Sequence, residues 1–201
     1  KNLGVTLAQL GRVDEAEASY RQAISIRPDA AEAHNNLGIT LKELGKLDEA
    51  EASYQLAITL KPDYAEAHSN LGDALKALGG RSEAEESSRR AITIKPHYAK
   101  AHSNLGNTLR ALGRLDEAEV SCRRAMALEP DSTEVQNSLG VTLKELGRLD
   151  EAEASYRQAI FLKPDYAEAH SNLGNTLKEL GRLDEAETSY KQAIALKPDY
   201  A

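Results

Sequence analysis

Three residue sets are of the types that do chemistry. Histidines recur at His34, His68, His102 and His170, a lone Cys122 is followed by Arg123 and Arg124, and the acidic run DEAE recurs, as at 48–51, 116–119 and 150–153. Histidines could ligate a metal, but a zinc site needs ligands within about 2.0–2.3 Å of one ion. These four occupy the same place in a recurring pattern. On successive packed helices they lie about 8–10 Å or more apart, so they read as packing residues. Cys122 is a nucleophile by type, yet it aligns with Tyr20, Tyr54, Tyr156 and Tyr190, and Ser88 fills the same slot one turn of the pattern earlier. It reads as a small buried hydrophobe. Two adjacent segments thus lack the tyrosine, and the middle of the chain is expected to be less stable than its C-terminal part. The acidic runs suit helix N-termini, where carboxylates complement the dipole. No glycine-rich phosphate loop or nucleophile elbow appears. The expectation is no catalytic residue, no metal, no cofactor and no enzymatic activity, since catalysis needs one asymmetric constellation and this sequence repeats everything.

The recurrence is the main signal. "NLG" begins at Asn2, Asn36, Asn70, Asn104 and Asn172, and its variant "SLG" at Ser138, so the spacing is 34 residues throughout. All 6 prolines obey it: Pro28, Pro62, Pro96, Pro130, Pro164 and Pro198. Counting from Ala31, the repeats are 31–64, 65–98, 99–132, 133–166 and 167–200, preceded by a partial repeat at 1–30. Ala201 would begin another, and a chain opening at Lys1 is expected to be a piece of something longer. We treat 1–201 as a single repeat array.

Each repeat holds two helical patterns. In the second, Ala33, Leu37, Leu41 and Leu44 share one face and Gly45 supplies a stop. Asp48 suits the next N-terminus. The second helix is expected to bury Leu47, Ala50, Tyr54, Ala57 and Ile58 and to end before Pro62. Asp63 and Glu66 resemble a capping box for the following helix. Helices of about 13 residues are marginal alone. They must bury their stripes on neighbours, which predicts an all-α stack of helical hairpins, a solenoid.

Composition sets limits. Net charge is −7, which disfavours nucleic acid as a partner. No apolar run approaches the roughly 20 residues of a membrane span, so no membrane partner is expected. A single cysteine excludes an intrachain disulfide and fits a reducing compartment. With no signal-peptide pattern at the start, the expected location is cytoplasmic.

The pattern resembles the tetratricopeptide repeat family, through Leu37, Gly38, Leu41, Gly45, Ala50, Tyr54, Ala57 and Pro62 in the second repeat and their equivalents along essentially the whole chain. His34 stands where the family has an aromatic residue. The resemblance implies an α-α superhelix, a right-handed solenoid of helix-turn-helix repeats, with a concave groove lined by the first helix of each hairpin. It implies a protein-interaction scaffold that takes an extended peptide or protein segment.

The first-helix face opposite the leucines carries repeat positions 2, 5, 6, 9, 12 and 13. Position 6 reads Asn36, Asn70, Asn104, Ser138 and Asn172 after Asn2. Position 12 reads Lys42, Lys76, Arg110, Lys144 and Lys178 after Ala8. Amides carry donors and an acceptor, so a file of them could hold a peptide backbone whatever its side chains. In this the sequence is similar to the repeat arm of O-linked N-acetylglucosamine transferases. The plainer alternative is local hydrogen bonding or solvation. The basic file is expected to be a solvated face where Glu43, Glu145 and Glu179 follow it. In the third and fourth repeats, alanines replace that glutamate and Lys100 replaces a usual Glu. Their net charges are 0 and 0, against −3 for the second repeat and −2 for the fifth and sixth. Specificity for an acidic or extended segment is expected there. The family's clamp for C-terminal carboxylates is represented only by fragments such as Asn70 with Lys100, since Asn104 stands where it wants a basic residue. Two other readings stay open: self-association through uncapped ends into oligomers or filaments, and a substrate-recruiting arm of a larger enzyme such as a glycosyltransferase.

Overall fold

The computed structural model describes residues 2–198, Asn2 by its backbone alone. The Asn2 side chain at the head of the asparagine file, and Ala201, lie outside the described residues. The described chain is all-α and shows no strand: α1 (Asn2–Gln9), α2 (Val13–Ile26), α3 (Ala31–Glu43), α4 (Leu47–Leu60), α5 (Ala65–Leu78), α6 (Arg81–Ile94), α7 (Ala99–Ala111), α8 (Leu115–Leu128), α9 (Thr133–Glu145), α10 (Leu149–Leu162), α11 (Ala167–Glu179) and α12 (Leu183–Leu196). Odd-numbered helices are the first of each hairpin and even-numbered ones the second. The helices gather into two compact bodies, Lys1–Asn104 and Leu105–Ala201.

Each body has its own core. In the first, Leu37 and Leu41 of α3 meet Ala50 and Tyr54 of α4, Tyr20 of α2, and Leu71 and Ala74 of α5. In the second, Leu139, Leu143, Tyr156, Leu173 and Leu177 form the equivalent cluster, with Cys122 in it. The hairpins close on a glycine, which lies under the ring of Tyr20, Tyr54, Tyr156 or Tyr190 in four of them and against Ser88 or Cys122 in the third and fourth repeats. A β-carbon on Gly38 would stand 2.6 Å from Tyr54 Cε1. The first helix ends where Gly45 takes φ 74°, which a side chain would strain. Ala50, Tyr54 and Ala57 are buried as expected, whereas Leu47 and Ile58 are only half-buried.

Capping departs from expectation. The N-cap of α5 is Tyr64, with no side-chain cap bond, so Asp63 sits one residue too early to cap. Glu66 is also diverted, accepting from Lys95 Nζ at 2.9 Å. Asp48 lies in the first turn of α4 behind the N-cap Lys46, where it complements the dipole without capping. Ser132 does cap α9, accepting from Val135 N at 3.4 Å.

A threonine file escaped the sequence reading. Thr40, Thr108, Thr142 and Thr176 are each at most 1% exposed. Thr40, Thr142 and Thr176 donate their hydroxyls to the carbonyl four residues back, at 3.0, 2.9 and 3.0 Å. That bond satisfies the oxygen and leaves the methyl free to pack.

Candidate functional site

The first-helix face is built on amide rungs. Asn70 Nδ2 donates to Asn35 Oδ1 at 2.9 Å, joining α5 to α3. Asn104 Nδ2 donates to the Ser69 carbonyl and hydroxyl at 3.0 and 3.1 Å. Asn172 Nδ2 donates to Asn137 Oδ1 at 3.0 Å, joining α11 to α9. Position 6 of one repeat therefore reaches position 5 of the repeat before it. Asn70 and Asn104 are only 6% and 9% exposed, so they form the floor of the face. Asn36 and Asn172 are half-buried. The signal for the rung was in the sequence, because position 5 of every full repeat is Asn or Ser: Asn35, Ser69, Ser103, Asn137 and Ser171. Where Ser138 interrupts the file, Asn137 also donates to Glu168 Oε1 at 3.0 Å. Asn104→Ala should cost about 1–3 kcal/mol, since it removes both hydrogen bonds to the buried Ser69. Asn172→Ala, on a wetter rung, should cost less. Urea denaturation giving equal losses would contradict this ordering.

The outer edge of the face is charged. Arg110 Nη1 pairs with Glu145 at 2.7 Å and Lys144 Nζ with Glu179 at 2.9 Å, each cation reaching the next first helix. Lys178 is exposed and has no ion pair among the described residues. Lys42 pairs with Asp73, whose other carboxylate oxygen lies 3.3 Å from Lys76 Nζ. Lys100 Nζ donates to Asn70 Oδ1 at 2.8 Å. Burial alone would push the Asp73 carboxyl up. The Lys42 hydrogen bond and the two lysine charges more than offset it, leaving Asp73 below the usual carboxylate range. Desolvation pulls Lys100 below the usual lysine value, opposed by Asp73 and reinforced by Lys42. The structure thus brings Asn70, Lys42, Lys76 and Lys100 together, and pairs Arg110 and Lys144 separately.

The histidines do more than pack. His34, His68, His102 and His170 place Nε2 at 2.8, 3.1, 2.9 and 2.9 Å from the carbonyls of Pro28, Pro62, Pro96 and Pro164. A carbonyl only accepts, so Nε2 carries the proton. Gln136 fills the same slot and donates Nε2 to Pro130 O at 3.3 Å. That His/Gln exchange was the missed signal, as both offer an N–H at the same reach. Each bond ties a first helix to the loop before it. Burial, then the Arg90 charge, holds His68 below its ordinary 6.5, against the Pro62 hydrogen bond. The unfolded chain then binds the proton more readily. Stability from this site is fully present above pH 6.5 and falls as pH drops towards the lowered folded value. His68→Gln should keep the bond and flatten the stability–pH slope between about pH 7 and 5, as pH-resolved urea titrations would show. An unchanged slope would refute the assignment.

Cys122 is 1% exposed and lies 3.9 Å from Thr142 Oγ1. Burial pushes its thiol up, against a smaller pull from Thr142, so the thiolate is disfavoured. Among the described residues, no group of three His, Cys, Asp or Glu side chains is placed to hold a metal. Nor, among the described residues, is any helix long and apolar enough to cross a membrane.

Models of the tetratricopeptide repeat match residues 1–65, 65–98, 97–160 and 167–200, and a TPR repeat model matches 142–181. No curated protein sequence matches the chain. Among solved structures, TTC0263, a thermophilic TPR protein in Thermus thermophilus, is 30% identical. The match covers 88% of this chain and 96% of that one, with a TM-score of 0.78. YrrB, described as a TPR protein with an unusual peptide-binding site, is 25% identical over 90% of this chain and 93% of that one, with a TM-score of 0.63. The Cut9–Hcn1 hetero-tetramer of the APC/C matches at a TM-score of 0.92 but 17% identity, over 98% of this chain and 39% of that one, and so shares the fold.

Proposed function

This chain belongs to the tetratricopeptide repeat family, and from that premise we propose that it is a binding scaffold holding an extended peptide or protein segment against its first helices. The observation that carries the reading is the layering of that face. Buried rungs such as Asn70–Asn35 and Asn104–Ser69 fix the spacing between first helices. In the C-terminal body, which has the Asn172–Asn137 rung of its own, the side chains at positions 2, 9, 12 and 13, such as Glu168, Asn175, Lys178 and Glu179, are exposed to a partner. A rigid floor under adaptable polar groups lowers the ordering cost of binding. The description of YrrB as peptide-binding supports the same class of ligand here. The half-buried Asn172 spends one amide N–H on its rung and has a second to offer a peptide carbonyl.

Selection from a random-peptide display library tests the proposal. Binders should lose about tenfold or more in affinity on Asn175→Ala with Lys178→Ala, and nothing on Gln158→Ala in the exposed part of α10. Binders sensitive to Gln158 and indifferent to Asn175 and Lys178 would overturn it.

A further inference from the structure

The ionic pattern of the first helices breaks at one place. In the C-terminal body, the position-12 cations of α7 and α9 meet the position-13 glutamate of the next first helix, Arg110 with Glu145 and Lys144 with Glu179. In α5 that glutamate is Ala77. Lys42, which would have used it, turns to Asp73. Lys76 takes the other oxygen of the same carboxylate. Lys100 then stands where the second, third, fifth and sixth repeats carry Glu32, Glu66, Glu134 and Glu168. Its ammonium rests on Asn70, close enough for its proton affinity to respond to both Asp73 and Lys42.

Two ammonium groups therefore share one carboxylate, and a third, on Lys100, rests on the Asn70 amide without a carboxylate of its own. Glu66 is occupied by Lys95 at 2.9 Å. Glu43 makes no ion pair with the three lysines among the described residues, and its charge acts on Tyr20 and Tyr54. The cluster is open to solvent, with the Lys42 and Lys76 side chains 38% and 31% exposed and Asp73 21%. At physiological salt, charges beyond about 8 Å are largely screened. A short ligand therefore responds to this local excess and not to the chain's net −7.

We propose that Lys42, Lys76 and Lys100 form a seat for an acidic side chain of the bound segment, with Asp73 as a built-in competitor for the same ammonium groups. This rests on the first-helix face being the binding face. An incoming Asp or Glu carboxylate accepts from Lys42 and Lys76 beside Asp73 or in its place. The flanking Glu43 and Glu66 repel a continuous polyanion, so the seat suits one or two acidic residues in an otherwise neutral segment.

The test uses fluorescein-labelled Gln–Gly peptides carrying one central Glu, with the all Gln–Gly counterpart as the neutral probe, in anisotropy titrations on the whole chain. The acidic peptide should bind about tenfold more tightly at about 0.15 M salt, and the gap should close at about 1 M salt. Lys42→Ala with Lys76→Ala should abolish the gap. Asp73→Asn should widen it several-fold by removing the competitor, an effect opposite in sign to that of deleting a merely structural residue. Thermal melts of each variant establish that it is folded, and Lys76→Gln is the milder substitute where the double variant is not. No gap between the probes, or a gap that Asp73→Asn narrows, would overturn the seat. If both probes bind equally and both lose affinity on Asn175→Ala with Lys178→Ala, the seat fails and the scaffold reading survives. If both bind and neither responds to any first-helix substitution, the binding face itself is misplaced.

Discussion

Tyr156→Ala is expected to lower stability by about 3–5 kcal/mol, the range for deleting a large aromatic from a core. Tyr156 is 0% exposed and belongs to the second core with Leu139, Leu143, Leu173 and Leu177. Its ring fills the space over Gly140, so nothing nearby can collapse into the vacancy without moving a helix. The hydroxyl separates packing from polarity, because Tyr156 Oη is buried without a hydrogen-bond partner. Tyr156→Phe removes that unsatisfied group and keeps the ring, so it should be neutral or stabilising by up to about 1 kcal/mol. Tyr190→Phe should cost stability, since Tyr190 Oη donates to Asn175 Oδ1 at 2.9 Å. Guanidinium denaturation of the three variants checks the set. A Tyr156→Phe loss matching that of Tyr156→Ala would mean the hydroxyl, not the ring, matters.

Gly140→Ala should change sign with its background. A β-carbon at Gly140 would stand 2.6 Å from Tyr156 Cε1 and 2.9 Å from its Cδ1 and Cζ. The ring is fully buried and cannot yield, so the substitution should cost about 1–3 kcal/mol through overpacking. In the Tyr156→Ala background the obstacle is gone. What remains is the mid-helix preference of alanine over glycine, worth about 0.5–1 kcal/mol in the stabilising direction. A double-mutant cycle reads this as strong coupling. Additive free energies would show that the glycine is there for some reason other than the tyrosine.

The repeats were legible because a solenoid writes its contacts locally. Leu37, Leu41, Ala50, Tyr54 and Ala57 are spaced by the helix period, and every 34 residues the same problem is solved again. The buried leucines, the Gly45 stop and the helix end before Pro62 follow from side-chain size and backbone freedom alone. The helix starts were less legible. Asp63 reads as a cap by type, yet the backbone puts Tyr64 at that place, a one-residue shift that the sequence does not encode visibly.

The site was legible as a list of residues and illegible as a set of bonds. Chain order determined that asparagines recur on the face opposite the leucines and that cations recur at position 12. It determined equally that Ala77 and Lys100 break the charge pattern. Only tertiary structure decided that Asn70 and Asn104 are buried rungs, that the histidines donate to proline carbonyls, and that Lys42 and Lys76 converge on Asp73. The physical reason is distance along the chain. The Asn70–Asn35 bond spans 35 residues and the Lys42–Asp73 pair spans 31. Periodicity fixes which face a side chain occupies, but the docking of one hairpin on the next sets which donor meets which acceptor.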